Sequence, residues 1–285
     1  MKGAIIGDIC GSIYEFNNVL TKDFGPLVKI DSTVTDDTIM TIAVMDWLIG
    51  LNEAKKEDGV YNLDLRYIFK AYGREFPGAG YGRKFYDWLM GKDMEPYNSC
   101  GNGAAMRISP VGLYANSESE CIELAKKVTE VTHNHPEGLK GAECIARMIF
   151  LARQGKSKEE LNEIYRHYYS DSDIFGQSLE EMRAGTKGEH GKEICQFSVP
   201  QAINCFILSE GFEDCIRNCI SIGGDSDTIA CIAGGLAEAF YGGGEGSEVE
   251  KIWSDILEMN RAEDSFYDDL DSILNEFYEV CRGRE

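Results

Sequence analysis

Three absences narrow the field before any motif is considered. No run of about 18 apolar residues occurs in the 285-residue chain, which excludes a helix that spans a membrane. No Cys-x-x-Cys pair occurs, so zinc-ribbon and dithiol redox readings have nothing to rest on. Positive charge is scarce: 28 Lys and Arg against 49 Asp and Glu leave a formal net charge of −21. Nucleic-acid affinity is carried largely by clustered Lys and Arg, and no such cluster is present, so nonspecific nucleic-acid binding is not expected.

Alternating strand patterns are also rare. Val19 to Ile30 is one segment that fits a small hairpin or an irregular loop, and Gly73 to Asn102, rich in Gly and Pro, reads as nonhelical. The apolar stretch at the start, Ala4-Ile5-Ile6, is broken at once by Gly7 and Asp8, too short for a signal peptide. The 10 cysteines lie within apolar segments such as Asn204-Cys205-Phe206, as buried free thiols would; Cys215 and Cys219 share helical spacing. A cytoplasmic protein is the expectation.

What the chain does have is helical periodicity. Thr38 to Leu51 is apolar on almost every face, which predicts a helix buried in the middle of the fold. Glu120 to Val131 and Leu139 to Ala152 repeat apolar residues at three- and four-residue steps, and Pro136 suits the first turn of the second. Helices follow at Ile203 to Ile207, Phe212 to Ile220 and Thr228 to Tyr241, the last rich in small residues that permit close packing. Beyond Gly242, Ile252 to Met259 and Phe266 to Tyr278 predict a pair of solvated amphipathic helices with acidic outer faces, over about 247–282. With no repeat and no low-complexity linker, residues 1–285 read as one all-α domain.

Carboxylates cluster where helices begin. Thr35-Asp36-Asp37-Thr38 enters the buried helix; one Asp there serves as an N-cap, but two flanked by threonines exceed what a cap needs. Gly223-Gly224-Asp225-Ser226-Asp227-Thr228 opens another apolar helix. It lacks the later ligands and Gly of an EF-hand loop. Oxygen-only donors suit hard cations, so Mg²⁺ or Mn²⁺ is favoured over zinc, and two such clusters together point to a two-metal site. An all-α prenyl-diphosphate synthase also binds Mg²⁺ through helical aspartates, but Asp-Asp-x-x-Asp would need a carboxylate where Met40 stands.

Gly7-Asp8 and Gly11 allow close helix packing, and Glu15 is expected on the same helical side as Asp8; alone, Glu15 reads as a surface residue. Ser99 to Arg107 forms a Gly-rich loop before a short helix, suited to an anion or to a plain turn. Thr132-His133-Asn134-His135-Pro136 places two of the 4 histidines at a helix start, for capping or ligand hydrogen bonding.

Taken in order, these motifs resemble those of the ADP-ribosylglycohydrolases, the dinitrogenase-reductase-activating glycohydrolase type included, from about residue 3 to about residue 242. The resemblance implies a single multi-helix domain with a central cleft for two divalent cations, Mg²⁺ or Mn²⁺, and ADP-ribose. It makes Thr35, Asp36, Asp37, Asp225, Asp227 and Thr228 metal ligands, and Glu15 a mobile acidic residue near the distal ribose. Gly101, Asn102, Gly103 and Met106 lie along ADP-ribose, His133 by its phosphates or sugar, and Tyr81 becomes a base-stacking ring. Glu15 or Asp36 carries the proton in hydrolysis of the bond between ADP-ribose and an acceptor. The partner is then an ADP-ribosylated protein or a small-molecule conjugate, and the contact to the acceptor lies on variable loops. A noncatalytic ADP-ribose reader is the alternative, and a crystallin-like structural role a third.

Overall fold

Helix follows helix from the second residue onward. The computed structural model describes residues 1–56, 63–186, 193–260 and 266–284. The first helix, α1 (Lys2–Ser12), is buried along almost its whole length. An irregular loop without paired strands covers Val19 to Ile30 and leads to α2 (Asp36–Lys56), which starts two residues before the predicted helix and outlasts it. Then come α3 (Leu65–Glu75), α4 (Arg83–Met90), the one-turn α5 (Gly103–Met106) and α6 (Ser109–Tyr114). Helix α4 corrects the nonhelical reading of Gly73 to Asn102. Its eight residues bury Phe85, Trp88 and Leu89 on one stripe, a signal the flanking glycines obscure.

Local chemistry sets the next boundaries. Ser117 caps α7 (Glu118–Glu130), its side chain accepting from Glu120 N. His135 caps α8 (Pro136–Arg153) through Nδ1, with Pro136 in the first turn. Ser157 and Glu160 form a capping box on α9 (Lys158–Tyr169). Helices α10 (Leu179–Thr186), α11 (Cys195–Ile207), α12 (Phe212–Ile222) and α13 (Ser226–Tyr241) follow. The acidic tail folds as α14 (Glu248–Asn260) and α15 (Phe266–Arg282), as expected from its periodicity. Trp253 Nε1 donates to Asp271 Oδ1 at 2.9 Å between them, and Tyr278 donates to Glu238 of α13 at 2.5 Å.

The bridge between Gly101 and Ile194 is the only β pairing among the described residues. One hydrophobic cluster runs from Ile5 and Ile9 to Leu274 and Phe277. All ten cysteines are free, nine of them buried. No helix of the described residues is long and apolar enough to cross a membrane.

The middle of the fold is α13, wrapped by α1, α12, α11 and α8. Helix α1 lies directly on it because glycines line the contact. A Cβ at Gly7 would sit 2.1 Å from the Ala230 carbonyl oxygen, and one at Gly11 would sit 2.4 Å from Asp227 Cα. This crossing brings Asp8 of α1 beside Asp227 of α13.

Candidate active site

Asp8 organises the first half of the site. It is fully buried and accepts from Thr35 N at 2.9 Å, Thr35 Oγ1 at 2.7 Å and Thr38 N at 3.1 Å, and from the Thr38 hydroxyl. These bonds fix the turn into α2 from outside it. Thr35 has Asp8 at 2.7 Å and Asp37 at 3.4 Å as acceptors, so its hydroxyl hydrogen is committed to Asp8. Its oxygen then has only lone pairs to offer elsewhere.

The second half is held by backbone geometry. Gly223 and Gly224 take φ of 74° and 80°, left-handed values that favour glycine. Asn18 clamps that turn, accepting from Gly224 N at 2.9 Å and donating to Gly224 O at 3.0 Å, to Tyr14 O at 2.7 Å and to Glu15 O at 3.0 Å. The Glu15 segment and the Asp225 turn are thereby tied together. Glu15 itself lies beyond the end of α1 at Ser12, not on a helical face with Asp8 as its spacing predicted, because the chain turns away there.

Asp225 stands at the N-cap position of α13 but makes no capping bond; its Oδ2 instead accepts from the Asn102 amide. Thr228 N donates to Asp227 Oδ1 at 2.9 Å, and Thr228 Oγ1 donates to Asp37 Oδ2 at 3.2 Å across the two halves. One oxygen each of Asp8, Asp37 and Asp227 lie within 4.8 Å of one another, as do one each of Glu15, Asp225 and Asp227. Asp227 belongs to both groups.

Such crowding has an electrostatic cost. Burial, then the neighbouring carboxylates, push Asp36, Asp37 and Asp227 well above the usual aspartate range. Burial also raises Asp8 and Asp225, against the hydrogen bonds they accept. Glu15, half-buried, is pushed up to about 7 by burial and by Asp225, Glu193 and Asp8. Asp37 Oδ1 is buried with no hydrogen-bond partner. An orphaned carboxylate oxygen inside a set of hard oxygen donors fits a divalent cation better than it fits an apo core.

These groups floor a cleft of about 470 Å³. Its lining includes Glu15, Thr35, Asp36, Asp37, Asp225, Asp227 and Thr228, together with Gly101, Asn102, Gly103, Met106 and His133. The sequence-predicted residues thus meet in one cavity, with one exception. Tyr81 is not in the lining: it is buried, its ring edge-on to Phe85 at 5.8 Å, while Gly80 and Gly82 on either side do face the cleft. The rings that line it are Phe16, Phe85 and Tyr97. These, with Arg83, Lys84, Ser99, Arg107 and Glu193, were not singled out as site residues from the sequence. Ser99 opens the Gly-rich loop and Tyr97 stands just before it, a proximity that could have flagged them. The loop is anchored opposite, where Asn102 N donates to Glu193 O at 3.2 Å and Cys195 N donates to Cys100 O at 3.0 Å.

The sequence model of the family described as ADP-ribosylglycohydrolase matches residues 1–285. ADP-ribosylhydrolase ARH3 of Bos taurus is 28% identical over 311 aligned positions, covering 85% of this chain and 84% of its own. The ADP-ribosyl-[dinitrogen reductase] glycohydrolase of Rhodospirillum rubrum is 28% identical over 270, covering 84% and 83%. A solved chain titled ADP-ribosylglycohydrolase-related protein complex superposes with a TM-score of 0.67 at 22% identity, covering 98% of this chain and 97% of that one.

Proposed function

The chain belongs to the ADP-ribosylglycohydrolase family of enzymes, and on that premise we propose that it hydrolyses the glycosidic bond between ADP-ribose and an acceptor with the help of two divalent cations. The observation that carries this reading is the convergence of the Thr35-Asp36-Asp37 and Asp225-Asp227-Thr228 clusters, from two distant helix starts, on the floor of one cleft. Those six residues are the proposed ligands, and Mg²⁺ or Mn²⁺ suits their oxygens. Bound there, the cations supply positive charge that orients ribose hydroxyls and makes a water more acidic.

The protein's own groups do the rest. The buried carboxylates favour the oxocarbenium-like charge that develops at the ribose C1″ as the bond to the acceptor breaks. Glu15, with its proton affinity raised to near neutrality, is suited to give or take the proton, and Asp36 is the second candidate for that role. Gly101, Asn102, Gly103 and Met106 form the wall along which ADP-ribose would lie, with His133 behind them. Since Tyr81 is turned into the core, Phe16, Phe85 and Tyr97 are the rings available for contact with the ligand.

Residues 1–285 are read as one domain, supported by the single hydrophobic cluster that α14 and α15 join. Nine buried free thiols support a reducing, cytoplasmic setting. The substrate is an ADP-ribosylated protein or a small-molecule ADP-ribose conjugate. The test is release of ADP-ribose from arginine- and serine-linked peptides, with Mn²⁺ or Mg²⁺ and with chelator, beside Asp225→Asn. Cation-dependent release that the variant lacks, with its helical circular dichroism unchanged, supports the hydrolase. Cation-dependent ADP-ribose binding without turnover on any linkage would favour the reader, and no binding at all would end the proposal.

A further inference from the structure

Arg107 is an unusual neighbour for a ligand-binding histidine. Its guanidinium is wholly buried yet belongs to the cleft lining. It sits over the rings of Phe69 at 4.4 Å and Phe85 at 5.5 Å. Nη2 donates to Thr132 Oγ1 at 2.7 Å and to His133 Nδ1 at 3.3 Å, while Nε and Nη1 have no hydrogen-bond partner. Burying a cation without a carboxylate beside it is costly, so a purely structural role is poorly served by this placement.

A guanidinium has hydrogens to donate and no lone pair to accept with. A proton on His133 Nδ1 would therefore point at positive charge. Thr132 Oγ1, 2.8 Å from Nδ1, already accepts from Arg107, which leaves its own hydrogen for Nδ1. Arg107 thus requires Nδ1 to be the acceptor, and the Thr132 hydroxyl has a hydrogen free to donate to it. The ring's remaining proton must then sit on Nε2, the edge that faces the Gly-rich loop. A Cβ at Gly103 would lie 3.1 Å from Nε2 and one at Gly101 would lie 3.4 Å away, so the two glycines are what leave this edge open.

We infer that Arg107 is a positioning residue: through His133 Nδ1 and Thr132 it holds His133 as the neutral Nε2–H tautomer and presents that N–H to an oxygen of ADP-ribose beside Gly101 and Gly103. The part played by ADP-ribose rests on the function proposed above; the tautomer does not. The other groups facing His133 agree with a neutral ring. They are Tyr97 with ring centres 6.1 Å away, Phe85 of α4 at 6.3 Å, the Arg107 charge, and the loop backbone. Burial first, and Arg107 second, hold His133 well below the usual histidine range. A ring locked this way offers a donor across the whole physiological pH range, where a free histidine would switch between donor and acceptor.

The deciding measurement is the ¹⁵N spectrum of the imidazoles in histidine-labelled protein, from about pH 5.5 to 8. With 4 histidines in the chain, His133 is assigned from His133→Gln. The expected result is one neutral Nε2–H ring that does not titrate. A neutral Nδ1–H ring, or protonation within that range, would overturn the assignment, and neither needs a variant of Arg107 to fold. The second arm is Arg107→Met, checked for fold by circular dichroism, and Arg107→Lys. Arg107→Met should free the tautomer and weaken ADP-ribose binding about 10- to 100-fold, the loss of one well-made polar contact to a charged ligand. The same change in a His133→Ala background should cost less than about 3-fold, since Arg107 acts through His133. Arg107→Lys, which keeps the charge but not the fork, should restore part of the affinity. Equal losses in both backgrounds would make Arg107 merely structural. If the parent protein binds no ADP-ribose, the proposed function fails while the tautomer still stands or falls on the spectrum.

Discussion

Replacing Asp37 by Asn should make the protein melt higher than the parent in chelator and lower than the parent once a divalent cation is added. Asp37 is buried between the two halves of the site, with Oδ2 accepting from Thr228 Oγ1 at 3.2 Å. Oδ1 has no partner, and oxygens of Asp8 and Asp227 lie within 4.8 Å. An asparagine keeps an amide oxygen for the Thr228 hydroxyl and turns N–H groups toward the remaining carboxylates. Relieving one unsatisfied buried acceptor is worth about 1–3 kcal/mol. For a chain of this size that corresponds to roughly 2–12 °C in Tm. Cation at 100 times its Kd adds about 2.7 kcal/mol to the parent and little to a variant with a damaged site, so the order of melting inverts.

The sign with pH follows from the raised carboxylate. A folded-state value above the ordinary 3.8 means the group favours folding at low pH and opposes it as pH rises past 3.8. The chelator gap between variant and parent should therefore widen from pH 5 toward pH 8. Calorimetric melts in EDTA, then in Mn²⁺, decide the matter. A variant that melts lower than the parent in EDTA, or one that gains as much from Mn²⁺, would refute this reasoning.

Three further outcomes are expected. Gly11→Ala pushes a methyl against Asp227 Cα, so it should cost at least about 1–3 kcal/mol and blunt the Mn²⁺-induced rise in Tm, read in the same melts. Glu15→Gln should lower kcat by about 10²–10⁴ and remove a titration near pH 7 from its profile; a parent-like profile would exclude Glu15 as the proton carrier. Because Asp36, Asp37 and Asp227 hold protons more tightly than ordinary aspartates, cation binding should release protons into a weakly buffered solution at pH 7, and release less at pH 9. No release at pH 7 would place the ligands elsewhere.

Sequence reading succeeded where the signal was local. Apolar periodicity located α2, α7, α8, α13 and the acidic tail helices, because an amphipathic or buried helix writes its face into three- and four-residue steps. Two carboxylates followed by a buried helix exceeded what capping requires, and both clusters do meet in the cleft. What escaped depended on tertiary placement. The close crossing that sets Asp8 beside Asp227 joins helices far apart in the chain, so nothing near Asp8 announced that neighbour. Glu15 was read onto a helix that stops three residues earlier. Tyr81 and Phe85 are both aromatic residues close in sequence to Gly80 and Gly82; which one faces the cavity is fixed by tertiary packing, not by residue type. Arg107 looked like the end of a motif, and its meaning came only from Thr132 and His133 beside it.

The contact between Asp37 and Thr228 joins residues 191 positions apart in the chain. A ribosome adding roughly 5–20 residues per second needs roughly 10–40 s to pass from one to the other. Throughout that interval α1 must wait with its glycine surface uncovered, since α13 is what it packs against. Assembly governed by such non-local pairing is slow, and every earlier stage of synthesis lacks half of the site. The two carboxylate clusters therefore come together in one late step, and the emergence of α13 is what completes the cleft floor.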